Sequence, residues 1–283
     1  MKKPIFLSTL FIFGLLVSIQ TAQAAPRSYV STQIPRQGDT VVVKILDPKL
    51  EFDTATFRGE SINFFNLNNE RVAFLPIPDN LKLGAYKFTA YKNGELVMLR
   101  TMWVQSGKFP RLVFNTPPSS PVKGEDLAPA LEDENKILRD LVLPCSTSTP
   151  PQPKFTLPLK VKYTVSSPFG ERRATEVSEI RHLGTDFAAP KGTDIFAIAS
   201  GTVKSANKGV LYGNTVVVDH GERVYSLYMH MDSMAVKEGD KISQGQKVGT
   251  LGNTGYSTAA HLHLSLKING ISVDPLRFIE TYK

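Results

Sequence analysis

His261-Leu262-His263-Leu264-Ser265-Leu266 alternates polar and apolar residues without a break. Successive side chains of a β-strand point to opposite faces, so this stretch puts His261, His263 and Ser265 on one face and three leucines in a core. Two imidazoles on one strand face can approach a single metal ion or its bound water. A second stretch, His182-Leu183-Gly184-Thr185-Asp186, has a spacing of four, which again returns to the same strand face. Gly184 between the two donors allows the backbone to bend towards a metal. A third motif is Tyr228-Met229-His230, so that four of the chain's five histidines fall in three short motifs. Histidine and aspartate suit Zn²⁺, and a catalytic zinc site takes three protein ligands and leaves the fourth position open.

Around these motifs, residues 157–283 are rich in glycine and in short β-branched runs such as Thr193–Ile198, Thr215–Asp219 and Lys247–Leu251. Gly-Asn and Gly-Asp pairs separate the runs, no helix is expected, and a compact antiparallel β-domain follows. Residues 25–106 also read as short strands, among them Thr40–Leu46, Ser61–Phe65, Val72–Ile77 and Gly84–Tyr91, with a hairpin turn at Lys92–Glu95 leading into Leu96–Met98. Their regular spacing suggests an Ig-like β-sandwich with no chemistry of its own. Residues 107–156 are crowded with proline, serine and threonine and read as a linker. Within it Leu131, Ile137, Leu138, Leu141 and Val142 recur at helical spacing, predicting a short amphipathic helix on a domain surface. The fold class expected is thus mainly β, an N-terminal Ig-like sandwich followed by a C-terminal antiparallel sheet.

The first 24 residues differ from the rest. Lys2 and Lys3 precede an apolar run over residues 5–19, and Ala22-Gln23-Ala24 gives a small-residue cleavage site, the pattern of a secretory signal peptide. The run is shorter than the ~20 residues that span a bilayer, so no stable membrane insertion is expected after cleavage. The lone Cys145 excludes an internal disulfide. The formal charge is +7, of which Lys2 and Lys3 contribute two, and a basic exported chain is drawn to an anionic polymer such as a cell wall.

With these segments in hand, the C-terminal part resembles the lysostaphin/LytM-type zinc metallopeptidases, which cut peptides of bacterial peptidoglycan. The likeness extends beyond the histidines to Ser167–Arg173, Ala189–Ile195, Gly201–Val203, Gly213–Gly221, Gly249–Thr258 and Val273–Pro275. It implies a barrel-like antiparallel sheet, one zinc ion per chain held by His182, Asp186 and His263, and a catalytic pair formed by His230 and His261. It also implies a periplasmic or secreted enzyme whose partners are peptidoglycan and, further, adaptor or regulator proteins of the envelope; nothing points to nucleic acid. Some relatives have lost their ligands and only activate other wall hydrolases, which is the alternative reading, but every ligand position is intact here.

The chain lacks H-E-x-x-H, so the glutamate base of the common zinc proteases is missing and histidines must move protons. Ser265 is read as a neighbour rather than a nucleophile, since no G-x-S-x-G accompanies it. His220 is expected to be a structural turn residue. Arg172 and Arg173 are expected at the solvated surface. A minor reading lets the Cys145 thiolate fill the open zinc position and hold the enzyme latent.

Overall fold

The structure, a computed structural model, describes residues 28–67, 69–113, 127–142, 154–174 and 179–282. The signal segment and Cys145 lie outside the described residues. The protein is mainly β, built from several antiparallel sheets.

The N-terminal part contains β1 (Ser28–Val30), β2 (Thr40–Ile45), β3 (Thr54–Phe57), β4 (Glu60–Ser61), β5 (Phe65–Leu67), β6 (Glu70–Pro76), β7 (Gly84–Lys92) and β8 (Glu95–Val104). They form two four-stranded sheets, β1-β2-β6-β5 and β4-β3-β7-β8. Val41, Val43 and Ile45 of the first sheet share one apolar cluster with Phe57, Phe88 and Met102 of the second. Val42, Val72 and Phe74 point the other way, into the core of the C-terminal part. The first sheet is therefore buried on both faces, which is why β2 reads as a continuous β-branched run rather than an alternating one. At the expected hairpin, Lys92 pairs with Glu95 and both intervening residues take positive φ (Asn93 50°, Gly94 80°), the turn that matches strand twist.

The proline-rich segment contributes more than a spacer. Its β9 (Arg111–Val113) adds as a parallel strand to β11 (Arg172–Ala174). Helix α1 spans Leu127–Val142, and its Leu138 and Val142 pack on Val217, Tyr225, Leu227 and Met229, whereas Ile137 is 61% exposed. One side chain fixes where the helix sits. The Glu134 carboxylate accepts from the backbone N–H groups of Val210, Leu211 and Tyr212 at 2.6, 2.8 and 3.0 Å.

The remaining elements are β10 (Thr164–Ser167), β12 (Glu179–Arg181), β13 (Thr185–Ala188), β14 (Asp194–Phe196), β15 (Gly201–Lys208), β16 (Asn214–Asp219), β17 (Val224–Met234), β18 (Lys241–Ile242), β19 (Lys247–Leu251), β20 (His261–Ile268), β21 (Ile271–Val273) and α2 (Pro275–Thr281). Strands run β10-β13-β20-β17-β16-β15-β18 across one large sheet, with β14, β19 and β21 joined to it, while β9, β11 and β12 form a small separate sheet. Helix α2 corrects the expectation of no helix in this part. Asp274 caps it by accepting from the N–H groups of Leu276 and Arg277, and Pro275 begins its first turn. Its Phe278 meets Phe74 and Phe155 at ring-centroid distances of 5.5 and 4.9 Å, locking the C-terminal end onto the N-terminal sheet.

Candidate metal centre

Strand register assembles the site. In the antiparallel pair of β13 and β20, Asp186 lies opposite His263 and Ala188 opposite His261. Residues directly opposite each other share a face, so pairing alone puts Asp186 beside both histidines of β20. His182 precedes β13 and reaches the same point: its Nε2 is 2.9 Å from Asp186 Oδ1 and 2.9 Å from His263 Nδ1. His263 Nδ1 is 2.8 Å from Asp186 Oδ1. All three residues are buried, and their donor atoms form a group that could hold a metal ion.

The outward-facing ring atoms decide what the inward ones can do. His182 Nδ1–H donates to the Pro168 carbonyl at 3.0 Å, leaving Nε2 as a lone pair. The Ser265 hydroxyl donates to the Leu183 carbonyl at 2.7 Å, so its oxygen accepts from His263 Nε2–H at 2.9 Å. That leaves His263 Nδ1 as a second lone pair. Two bare ring nitrogens and a carboxylate oxygen facing one another, with no proton between them, suit a cation. Burial pushes His263 down to about 4 against the opposing pull of Asp186, so its ring is neutral at neutral pH, as a metal ligand must be. The backbone bends at Gly184, and glycine is needed there for clearance as well: a Cβ would stand 2.4 Å from His263 Nε2.

His230 and His261 lie alongside, with ring centroids 4.8 Å apart. Since Met229 is the residue opposite His263, strict alternation would turn His230 to the far face of the sheet. A left-handed backbone, φ 59°, turns it back, held by its own N–H donating to the Tyr212 carbonyl at 2.9 Å. Its Nδ1–H donates to the Thr254 carbonyl at 2.8 Å, leaving Nε2 free to act. Burial, then the nearby His261 and His263, bring its pKa down to about 3. His261 repeats the arrangement, Nδ1–H donating to the Ala259 carbonyl at 2.9 Å and Nε2 lying 3.7 Å from Asp186 Oδ1.

Two neighbours were not legible beforehand. Arg173 is not at the solvated surface. It is three-quarters covered, with its Nη2 donating to Asp186 Oδ2 at 2.9 Å and to Ser167 Oγ at 2.8 Å and its Nε donating to Glu171 Oε1 at 3.0 Å. It thereby fixes the carboxylate so that Oδ1 faces the two rings. Arg172, one residue earlier and on the opposite strand face, is exposed as expected. The Tyr212 ring lies 6.5 Å from that of His230 and 6.4 Å from that of His263, and its hydroxyl donates to Asn135 Oδ1 on α1 at 2.9 Å. Burial, and next the Glu134 charge, push this phenol up to about 12. His220 lies outside the group, its Nδ1–H donating to the Ser200 carbonyl at 2.8 Å and its Nε2 accepting from Ser226 Oγ at 2.8 Å.

The described chain is thus mainly β, with a buried His-Asp-His group and two further histidines beside it. Residues 180–275 match the model of Peptidase family M23. It is 38% identical over 122 residues to the peptidoglycan DD-endopeptidase ShyA of Vibrio cholerae, a match covering 42% of this chain and 28% of ShyA. It is 39% identical over 103 residues to the murein hydrolase activator NlpD of Escherichia coli K12, covering 36% of this chain and 27% of NlpD. The matched segment is thus about a quarter of each curated relative. A crystal structure of a Pseudomonas aeruginosa protein assigned to peptidase M23 superposes with a TM-score of 0.64 at 27% identity, covering 89% of this chain and 96% of that one. No helix among the described residues is long and apolar enough to cross a membrane.

Proposed function

We propose that this chain is an exported zinc metalloendopeptidase that cuts peptide bonds of bacterial peptidoglycan. The observation that carries the reading is the convergence of His182 Nε2, His263 Nδ1 and Asp186 Oδ1 with their lone pairs facing inward. His182, Asp186 and His263 would hold one zinc ion. When bound, zinc supplies Lewis-acid polarisation of a scissile carbonyl and acidifies a water. The protein's own contribution is proton handling. His261 and His230 each present an unprotonated Nε2 next to the site, so one takes the proton of the attacking water and the other stands by the carbonyl oxygen and leaving amine. Backbone carbonyls at Ala259 and Thr254 hold both rings in the tautomer this requires. Arg173 keeps Asp186 oriented.

The likeness to the peptidoglycan DD-endopeptidase ShyA supports wall peptides as substrate, and the N-terminal pattern of residues 1–24 supports export to the envelope. We assign residues 25–106 to an accessory β-domain, 107–156 to a connector and 157–283 to the peptidase domain. Digesting purified sacculi with and without chelator, and reading product masses, tests the proposal. Chelator-sensitive release of cleaved muropeptides supports it. A folded, zinc-loaded protein that leaves every peptide bond whole rejects it and favours the activator role that the likeness to NlpD suggests.

A further inference from the structure

The polar face of β20 does not stop at Ser265. Alternation carries it on to Lys267, which pairs in register with Tyr225 on one side and Ser272 on the other. A single cavity of 560 Å³ joins His182, His230 and His263 to Ser265, Lys267 and Ser272. At the far end of this groove Lys267 is half-buried and Nζ donates to Ser272 Oγ at 2.9 Å.

The cations around the cavity differ in one respect. Arg139 is paired with Glu132 at 2.7 Å, Arg173 with Asp186 at 2.9 Å and Arg181 with Asp79 at 2.7 Å. Lys267 has no acidic partner among the described residues. Burial, with the positive charge of Arg139 nearby, lowers its pKa to about 8, which leaves it largely charged at neutral pH. A half-buried ammonium with only a hydroxyl for company lacks the counter-charge that offsets its desolvation, and an incoming carboxylate supplies it through a charge-assisted hydrogen bond. At ~3.4 Å per residue, the Cα of Lys267 lies roughly 14 Å along the strand from that of His263. An extended peptide lying in the groove spans that separation in about four residues.

We infer that Lys267 is a specificity-determining residue that binds a free carboxylate of the substrate peptide some residues away from the scissile bond. This rests on the peptidase reading above and adds that the substrate is an acidic peptide, read by charge at the far end of the groove. The test uses a cross-linked stem-peptide dimer with free carboxylates and the same dimer with those carboxylates converted to amides. Binding is measured by titration calorimetry on a His261→Ala background, where bound peptide stays intact. That background is expected to bind the carboxylate form about tenfold more tightly than the amide. Adding Lys267→Met is expected to weaken the carboxylate form to the level of the amide, and Lys267→Arg to restore the preference. An equal preference with Lys267→Met, or no preference with Lys267 present, overturns the inference. Because binding is read without cleavage, a protein that keeps this preference but cuts no sacculus refutes the peptidase reading alone.

Discussion

The two faces of β20 share one backbone and differ in everything else. Leu262, Leu264, Leu266 and Ile268 are fully buried in the main apolar core. His261, His263, Ser265 and Lys267 line or border the groove, each with a named hydrogen-bond partner. One face is filled by packing, which tolerates no gap. The other keeps buried polar groups, which are costly unless satisfied and are retained here in an arrangement with inward-facing lone pairs. The comparison teaches that in this strand stability and chemistry are carried by alternate residues, so they separate by mutation.

The largest effect expected is on chemistry. His261→Ala should lower turnover on sacculi about 10²–10⁴-fold with zinc content and melting temperature retained. A variant that is inactive because it loses zinc would move His261 among the ligands. On the opposite face, Leu264→Ala should cost about 2–5 kcal/mol in denaturant unfolding, by loss of burial plus a cavity, with activity per folded molecule preserved. Equal loss of specific activity would show the two faces to be coupled.

His220 sharpens the comparison, because it is a buried histidine outside the metal group. Burial holds it down at about 4 against an ordinary 6.5, so the unfolded chain takes up a proton that the folded chain refuses as pH falls through this window. Stability contributed by the neutral ring is full above the unfolded value and declines below it, by about 2 kcal/mol between pH 7 and pH 5. Urea unfolding at the two pH values should show this slope reduced in His220→Gln. The smallest effect concerns Arg173. Arg173→Met should weaken zinc binding about 10–100-fold, read by competition with a chelator, since it frees the second Asp186 oxygen.

Much of this arrangement was written in local pattern. Period two placed His261 with His263, because strand geometry is fixed by the backbone, whereas His182 precedes β13 and meets Asp186 across a bend at Gly184. The Lys92–Glu95 hairpin was legible for the same reason. Other features depend on partners distant in sequence. Residue type does not distinguish Arg173 from the exposed Arg172; its contacts with Ser167, Glu171 and Asp186 do. His230 defeats alternation through one left-handed residue that its histidine identity does not announce. Tyr212 stands one residue before the quoted Gly213 segment, yet its place follows from Glu134 and Asn135 of α1, more than 70 residues earlier. The β9 strand inside the proline-rich segment pairs with β11 across the same kind of distance.

The most direct measurement is a calorimetric zinc titration of the purified, metal-stripped chain beside His182→Ala and Asp186→Ala, with circular dichroism to establish folding. One zinc per wild-type chain, and loss of that binding in both folded variants, is the result this account predicts. Unchanged zinc binding in either variant would contradict it.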